Sequence, residues 1–318
     1  MSGLFADLVG QPQARTLLSA ALEQNRLAPA YLLAGPDGVG RRLAALRFLE
    51  GVLAGLSGSS QQRRRLAEGN HPDLLWVEPS YLEKGELVLQ SQAEQRGLQR
   101  RSPPQLRLEQ IREVSRFLSR RPVEAPACLV VLETVEAMAE AAANALLKTL
   151  EEPGHGMLVL ISAAPEQLLS TIRSRCQLIP FRRLTADQVQ RVLATCPGPG
   201  DHSPSADSPE LLELAAGSPG ALLHHRDQWA SLPDGLAERL QVLAPGEPLS
   251  ALALARDLTE ALDVEQQLWL LGWWQLWLWR RRPNPKLQLR LERLRSQLRA
   301  YVQPRLAWEV ALIELAQQ

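Results

Sequence analysis

Five short runs of apolar residues punctuate the first 183 positions, and longer stretches with helical spacing separate them. The runs are Ala30–Ala34, Leu74–Val77, Ala127–Leu132, Met157–Ser162 and Gln177–Phe181. Each is four to six residues long, apolar on both faces or nearly so, which is the pattern of a strand buried inside a sheet. Between them, Leu17, Leu18, Ala21 and Leu22 step at helical intervals, as do Leu108, Ile111, Val114 and Leu118. The segments Leu43–Leu53 and Ala137–Glu152 are rich in Ala and Leu, and Pro153-Gly154 stops the second. Strands alternating with helices predict a parallel sheet with helices on both faces.

Beyond Arg183 the strand pattern ends. Thr185 suits the N-cap of a helix over Ala186–Ala194. The stretch from Cys196 to Pro209 is punctuated by Pro and Gly like a linker, and a short helix, Glu210–Ala216, then meets a Gly217–Gly220 break. From about Trp229 the chain reads as all-helical. Leu287, Leu291, Leu294, Leu298 and Tyr301 form one seam, and Pro304 opens a last helix. Gln90–Pro104 shows no periodicity and is expected to be a surface loop.

Composition narrows this picture modestly. The chain has 318 residues, enough for two or three domains, and its 35 basic and 35 acidic side chains cancel. No global field draws it to nucleic acid or a membrane. Lysine occurs three times only, at Lys84, Lys148 and Lys286, so arginine supplies 32 of the cations. Three cysteines, Cys128, Cys176 and Cys196, are too few for a disulfide framework and fit a reducing cytosol. The tryptophan-rich run Leu268–Trp279 is too short to span a bilayer and reads as a buried helix. Arg63–Arg65, Arg100-Arg101, Arg120-Arg121 and Arg182-Arg183 have no aromatic residues interleaved, so solvated faces describe them better than a nucleic-acid groove.

Chemistry concentrates first at Gly35-Pro36-Asp37-Gly38-Val39-Gly40-Arg41-Arg42. The glycine spacing, between a strand and a helix, is that of a phosphate-binding P-loop. A working loop follows its last glycine with Lys, which reaches the β/γ-phosphates, and Ser or Thr, which holds Mg²⁺. Here Arg41 and Arg42 stand in those places. A Gly-rich turn without chemistry is the plainer alternative. The end of the run through Leu132 repeats the pattern. An ATPase would place a Mg²⁺-binding Asp there, followed in one large class by a Glu that orients water; this chain has Glu133-Thr134. The plainer alternative is a helix N-cap at Thr134.

The run Ala142-Ala143-Asn144-Ala145-Leu146-Leu147-Lys148-Thr149-Leu150-Glu151-Glu152-Pro153 resembles a signature of bacterial DNA polymerase III clamp-loader subunits of the AAA+ family. Ser174-Arg175-Cys176 is similar to that family's S-R-C motif. Val9-Gly10-Gln11, His71-Pro72-Asp73 and Pro304–Glu309 extend the likeness along the whole chain. Among these subunits the altered loop and strand end resemble the delta prime type. The resemblance implies a RecA-like nucleotide fold over 1–183 with a degenerate P-loop, a helical lid over 184–226 and a helical collar over 227–318. It implies a cytoplasmic protein that partners gamma/tau motor subunits and the delta subunit. The sliding clamp and primer-template DNA are then reached through the complex, and no membrane is involved. It further implies that Arg175 acts on a neighbour's ATP, with Asn144, Lys148 and Ser174 at the subunit boundary.

No cofactor is expected to be required. ATP binding is doubtful at Gly35, Gly38, Gly40, Arg41 and Arg42 with Glu133 and Thr134. No zinc is expected, because Gly55–His71 lacks the four cysteines of many relatives. Two other positions depart from active relatives in the same sense, Ser162-Ala163 after the fourth run and Ala221 after Gly220. The competing reading is a motor-type AAA+ ATPase in which Arg41 and Glu133 replace the usual pair. A membrane-associated helical scaffold is a third.

Overall fold

The protein is described by a computed structural model covering residues 3–83, 85–95, 103–195, 207–242, 247–300 and 302–316. It divides into two compact units, Met1–Thr195 and Cys196–Gln318. In the first, the helices are α1 (Pro12–Glu23), α2 (Arg41–Ala54), α3 (Ser60–Ala67), α4 (Gln90–Gln95), α5 (Leu108–Leu118), α6 (Glu140–Glu151), α7 (Ser170–Arg173) and α8 (Ala186–Thr195). The strands are β1 (Ala30–Ala34), β2 (Leu74–Val77), β3 (Ser80–Glu83), β4 (Glu86–Leu89), β5 (Cys128–Leu132), β6 (Gly156–Ser162) and β7 (Gln177–Pro180).

Five of the strands form one parallel sheet in the order β2-β5-β6-β1-β7. Alternation along β1 sends its side chains to two separate cores. Ala30, Leu32 and Ala34 join Val130, Leu132, Leu158 and Leu160 against Ile111 and Val114 of α5 and Leu146 of α6. Tyr31 and Leu33 point the other way, and the Tyr31 ring meets Phe48 of α2 edge-on at 4.7 Å. Helices thus cover both faces, as the alternation of strands and helices predicts.

Several local readings need correction. The antiparallel hairpin β3–β4 has no counterpart in the sequence reading. Gln90–Gln95 is helical, although residues 90–104 were expected to be loop throughout; residues 96–102 of that stretch lie outside the described residues. The α4 sequence carries no apolar stripe; the helix packs on the β3–β4 hairpin, with Ala93 buried. The polar stretch around Arg63–Arg65 forms α3, whose Ser59 Oγ accepts from the Gln62 amide. The helix expected over Ala137–Glu152 begins at Glu140, because Val135–Ala137 is a 3₁₀ turn and Met138 is extended.

The second unit is helical: α9 (Pro209–Ala215), α10 (Pro219–Ala230), α11 (Leu236–Gln241), α12 (Pro248–Ala261), α13 (Val264–Arg281), α14 (Pro285–Arg299) and α15 (Pro304–Ala316). Pro219-Gly220, expected in a break, is the first turn of α10. Ser218 Oγ accepts from the Ala221 amide and Pro219 sits where no N–H is needed. The linker expectation for 196–206 and Tyr301 of the seam lie outside the described residues. The tryptophan-rich run lies in α13, capped by Asp263, with Trp273 and Trp274 buried. Trp308 of α15 donates to Gln267 of α13 at 3.0 Å. Among the described residues no helix is long and apolar enough to cross a membrane.

Candidate functional site

The glycine loop joins β1 to α2 and is shaped by its glycines. Gly38 and Gly40 have φ of 70° and 99°, in the region that favours glycine. Gly35, at φ 151°, packs so closely that a Cβ there would lie 2.4 Å from the Phe181 carbonyl oxygen. Between them Val39 turns inward and is buried. Gln11 ties the loop down. Its Nε2 donates to Val39 O at 3.3 Å and Arg182 O at 2.7 Å, while its Oε1 accepts from the Arg182 amide at 3.0 Å. Loop, amino-terminal segment and exit from β7 are therefore one hydrogen-bonded unit.

A cavity of about 340 Å³ opens beside the loop, bounded by Gly38, Arg41, Arg42, Glu133, Thr134 and Ile161. Its two arginines are turned onto the protein's own acids. Arg41, the first residue of α2, is buried and pairs with Asp37 four residues earlier in the loop. Arg42 approaches Glu133 at the end of β5, with Nη1 3.3 Å from Oε1, and its guanidinium lies 4.9 Å from the centre of the Trp76 ring. Burial pushes the Glu133 carboxyl above its ordinary range, and Arg42 pulls in the opposite direction without cancelling the effect.

Thr134 corrects a further expectation. It precedes the 3₁₀ turn as an N-cap would, but its hydroxyl makes no capping bond. Its backbone is left-handed, at φ 50° and ψ 51°, a conformation that costs a non-glycine residue about 1 kcal/mol. Ser162 is also used structurally: its Oγ accepts from the Ala164 amide, and the neighbouring Ala163 amide donates to Glu136. Among the described residues no group of three or more His, Cys, Asp or Glu side chains is placed to hold a metal ion.

Ser174-Arg175-Cys176 lies elsewhere. The three residues follow α7 and lead into β7, whose Gln177 pairs with Tyr31 near the start of β1. The glycine loop and Glu133 follow the carboxyl ends of their strands, and Ser162 is the last residue of β6. Because β1 and β7 are parallel neighbours, Arg175, before β7, stands at the opposite end of the strands from the loop, which follows β1. The four to five residues of strand between them span roughly 16 Å. Ser174 and Arg175 face out, and only Cys176 turns in. Ser174 Oγ donates to Thr171 O at 3.1 Å, Arg175 is exposed, and Cys176 packs against the α5–α6 core. Burial pushes the Cys176 thiol up to about 11, so it is an anchor, not a nucleophile.

Asn144 and Lys148 are exposed one turn apart on α6, and Lys148 lines a 500 Å³ groove between α5 and α6. Glu151 continues that face and accepts from Arg175 Nη2 at 2.7 Å. The structure therefore brings Arg175 and Ser174 to the end of the α6 face that carries Asn144 and Lys148, and keeps them apart from the loop residues. Sequence reasoning missed Glu151 and Trp76 as partners of the two key arginines. Only Glu151 carried a local signal, a carboxylate at the wrong end of a helix.

A parallel five-stranded sheet with a glycine loop after β1, followed by a helical unit, defines a clamp-loader-like AAA+ architecture. A solved structure, a DNA polymerase III gamma subunit-related protein from Thermotoga maritima, shares the fold with a TM-score of 0.53 at 16% identity, covering 96% of this chain and 98% of that one. Residues 10–185 match the family described as DNA polymerase III, delta subunit, and residues 187–315 match the cyanobacterial DNA polymerase III delta prime C-terminal domain. The chain belongs to the family of DNA polymerase III delta prime subunits. It is 33% identical over 239 residues to subunit delta' of Pseudomonas aeruginosa and 32% identical over 186 residues to that of Bacillus subtilis. These matches cover 70% and 57% of this chain, and the chain spans 65% and 50% of those relatives' lengths.

Proposed function

We propose that the chain is the non-hydrolysing delta prime subunit of a clamp loader, and that Arg175 acts on ATP held by a neighbouring motor subunit. The observation that carries this reading is the placement of Arg175 at the end of the strands opposite the chain's own loop. A guanidinium there has no phosphate of its own chain to reach. A planar, permanently charged donor is the group suited to stabilising a transferring phosphoryl. At the loop, the Arg42–Glu133 pair takes the two positions that Mg²⁺ would need, which supports a site requiring no nucleotide.

In this reading 1–183 is the nucleotide-fold portion, 184–226 the lid and 227–318 the collar that joins the ring; compactness alone divides the chain in two. The partners are gamma/tau motor subunits and the delta subunit, in a cytoplasmic complex. Sliding clamp and primer-template DNA are contacted through that complex, and Asn144, Lys148 and Ser174 lie at the boundary with the neighbour.

The test is a reconstituted complex in which only the ATP site facing Arg175 is left active. Arg175→Ala should assemble normally and slow ATP turnover there by about 10³-fold. Unchanged turnover removes Arg175 from the reaction. Magnesium-dependent ATP hydrolysis by the isolated chain, abolished by Glu133→Gln, would establish the motor-type reading instead.

A further inference from the structure

Arg175 is held from two sides. Its Nη2 donates to Glu151 Oε1 at 2.7 Å and its Nη1 donates to the Thr171 carbonyl at 3.1 Å. Glu151 is the last residue of α6, and Thr171 lies within the single turn of α7. The guanidinium therefore bridges two helices that frame the entry to β7.

Glu151 is a poor choice for its own helix. The carboxyl end of a helix carries partial negative charge and favours cations. Here Glu151 ends α6 and Glu152 follows it. Stability of the fold does not account for the arrangement either. The two side chains are 37% and 52% exposed, and exposed ion pairs contribute little. A residue that breaks a local rule without stabilising the fold marks a functional requirement. What the contact does provide is order. An arginine side chain has many rotamers, and a hydrogen bond at each terminal nitrogen fixes the plane of the guanidinium. Two of its five N–H donors are then used and three remain for another acceptor.

We infer that Glu151 is a positioning residue for Arg175, orienting the guanidinium so that its remaining donors meet a phosphoryl oxygen presented by a neighbouring chain. This rests on the reading of Arg175 given above. Orientation fixed before the encounter reduces what must be ordered in the transition state, so its loss falls on the rate and not on nucleotide binding.

A double-mutant cycle in the reconstituted complex, again with only the site facing Arg175 active, separates the possibilities. Glu151→Ala should lower kcat about tenfold with KM within twofold of the original. Glu151→Gln should keep more than half of the original kcat, because its amide oxygen still accepts the Arg175 N–H. In an Arg175→Ala background, Glu151→Ala should have no further effect. The inference is overturned if Glu151→Ala leaves kcat unchanged, if the same loss persists without Arg175, or if the Gln variant is as slow as the Ala variant. An Arg175→Ala complex that turns over at full rate instead removes the arginine reading itself.

Discussion

Arg42 Nη1 lies 3.3 Å from Glu133 Oε1, so the two positions that share a magnesium ion in an active P-loop enzyme neutralise one another. The pair is lopsided. Arg42 is largely exposed and rests on Trp76, whereas Glu133 is mostly buried. A buried carboxylate is the member that pays the desolvation penalty, and its raised pKa records that the penalty exceeds what Arg42 returns.

Glu133→Gln should therefore stabilise the protein at pH 7, by on the order of 1 kcal/mol. The sign follows from linkage. A carboxyl whose folded pKa is raised binds more protons in the native state, so its ionisation weakens folding as pH rises from the unfolded value through the folded one. The advantage of the Gln variant should shrink as pH falls back through that window and vanish below it. Urea titrations of both proteins between pH 4 and pH 8 read this directly; a gain that grows toward low pH contradicts it.

Asp73 should behave in the opposite way. Burial alone would raise its pKa, but three backbone amides, Val123, Glu124 and Ala125, each donate to it at 2.7 Å and hold it below the usual carboxylate range. Stability from such a group is present above the unfolded pKa and is lost as pH falls through the folded one. Asp73→Asn should cost about 2–4 kcal/mol at pH 7, since an amide offers one accepting oxygen where two are used. The deficit should narrow as the medium is acidified below about pH 4, which thermal or chemical melts at several pH values would show.

The loop predicts a purely structural effect. A methyl group on Gly35 would meet the Phe181 carbonyl, which is backbone and cannot swing aside. Gly35→Ala should destabilise by about 2–4 kcal/mol, although no ligand is involved. Gln11→Ala should act on the same unit by a different route, leaving the Arg182 amide without its acceptor. Hydrogen exchange at Arg182 should then accelerate while exchange in the centre of β5 stays slow. Uniform acceleration at both places would mean that Gln11 supports the whole fold and not this joint.

Cys176 should resist alkylation. With its thiol pushed up to about 11, about one molecule in a thousand carries the reactive thiolate at pH 8. Iodoacetamide should modify it readily in urea and barely in the native protein. Mass spectrometry of the peptide that contains it distinguishes the two, and fast native labelling would contradict its role as an anchor.

The sheet was legible because its strands are short, apolar on both faces and separated by turn residues. Ala30–Ala34 and Leu74–Val77 match the observed bounds to the residue. What escaped detection was held by partners far away in sequence. The α3 segment has one buried apolar side chain, Leu66; its anchor is the ion pair from Arg63 to Glu50, a fully buried carboxylate thirteen residues earlier. The β3–β4 hairpin has four-residue strands whose outward Leu82 and Leu87 mask any alternation. At the site, the substitutions at Arg41, Arg42 and Glu133 could be read directly, but their mutual pairing and the contact from Glu151 to Arg175 could not. Loss of chemistry shows in residue types, whereas reuse of the leftover charges shows in geometry alone.

The strand order has a consequence for synthesis. β1 lies between β6 and β7, and its ladders join Ala30–Ala34 to Leu158–Ser162 on one side and Tyr31–Ala34 to Gln177–Pro180 on the other. A ribosome makes β1 early and its neighbours last, so this internal strand waits for more than a hundred residues with both edges unpaired. Such long-range pairing folds slowly and leaves apolar surface open in the interval. The nascent chain therefore depends longest on protection while residues 35–155 emerge, and the sheet closes only when the segment carrying Arg175 has arrived.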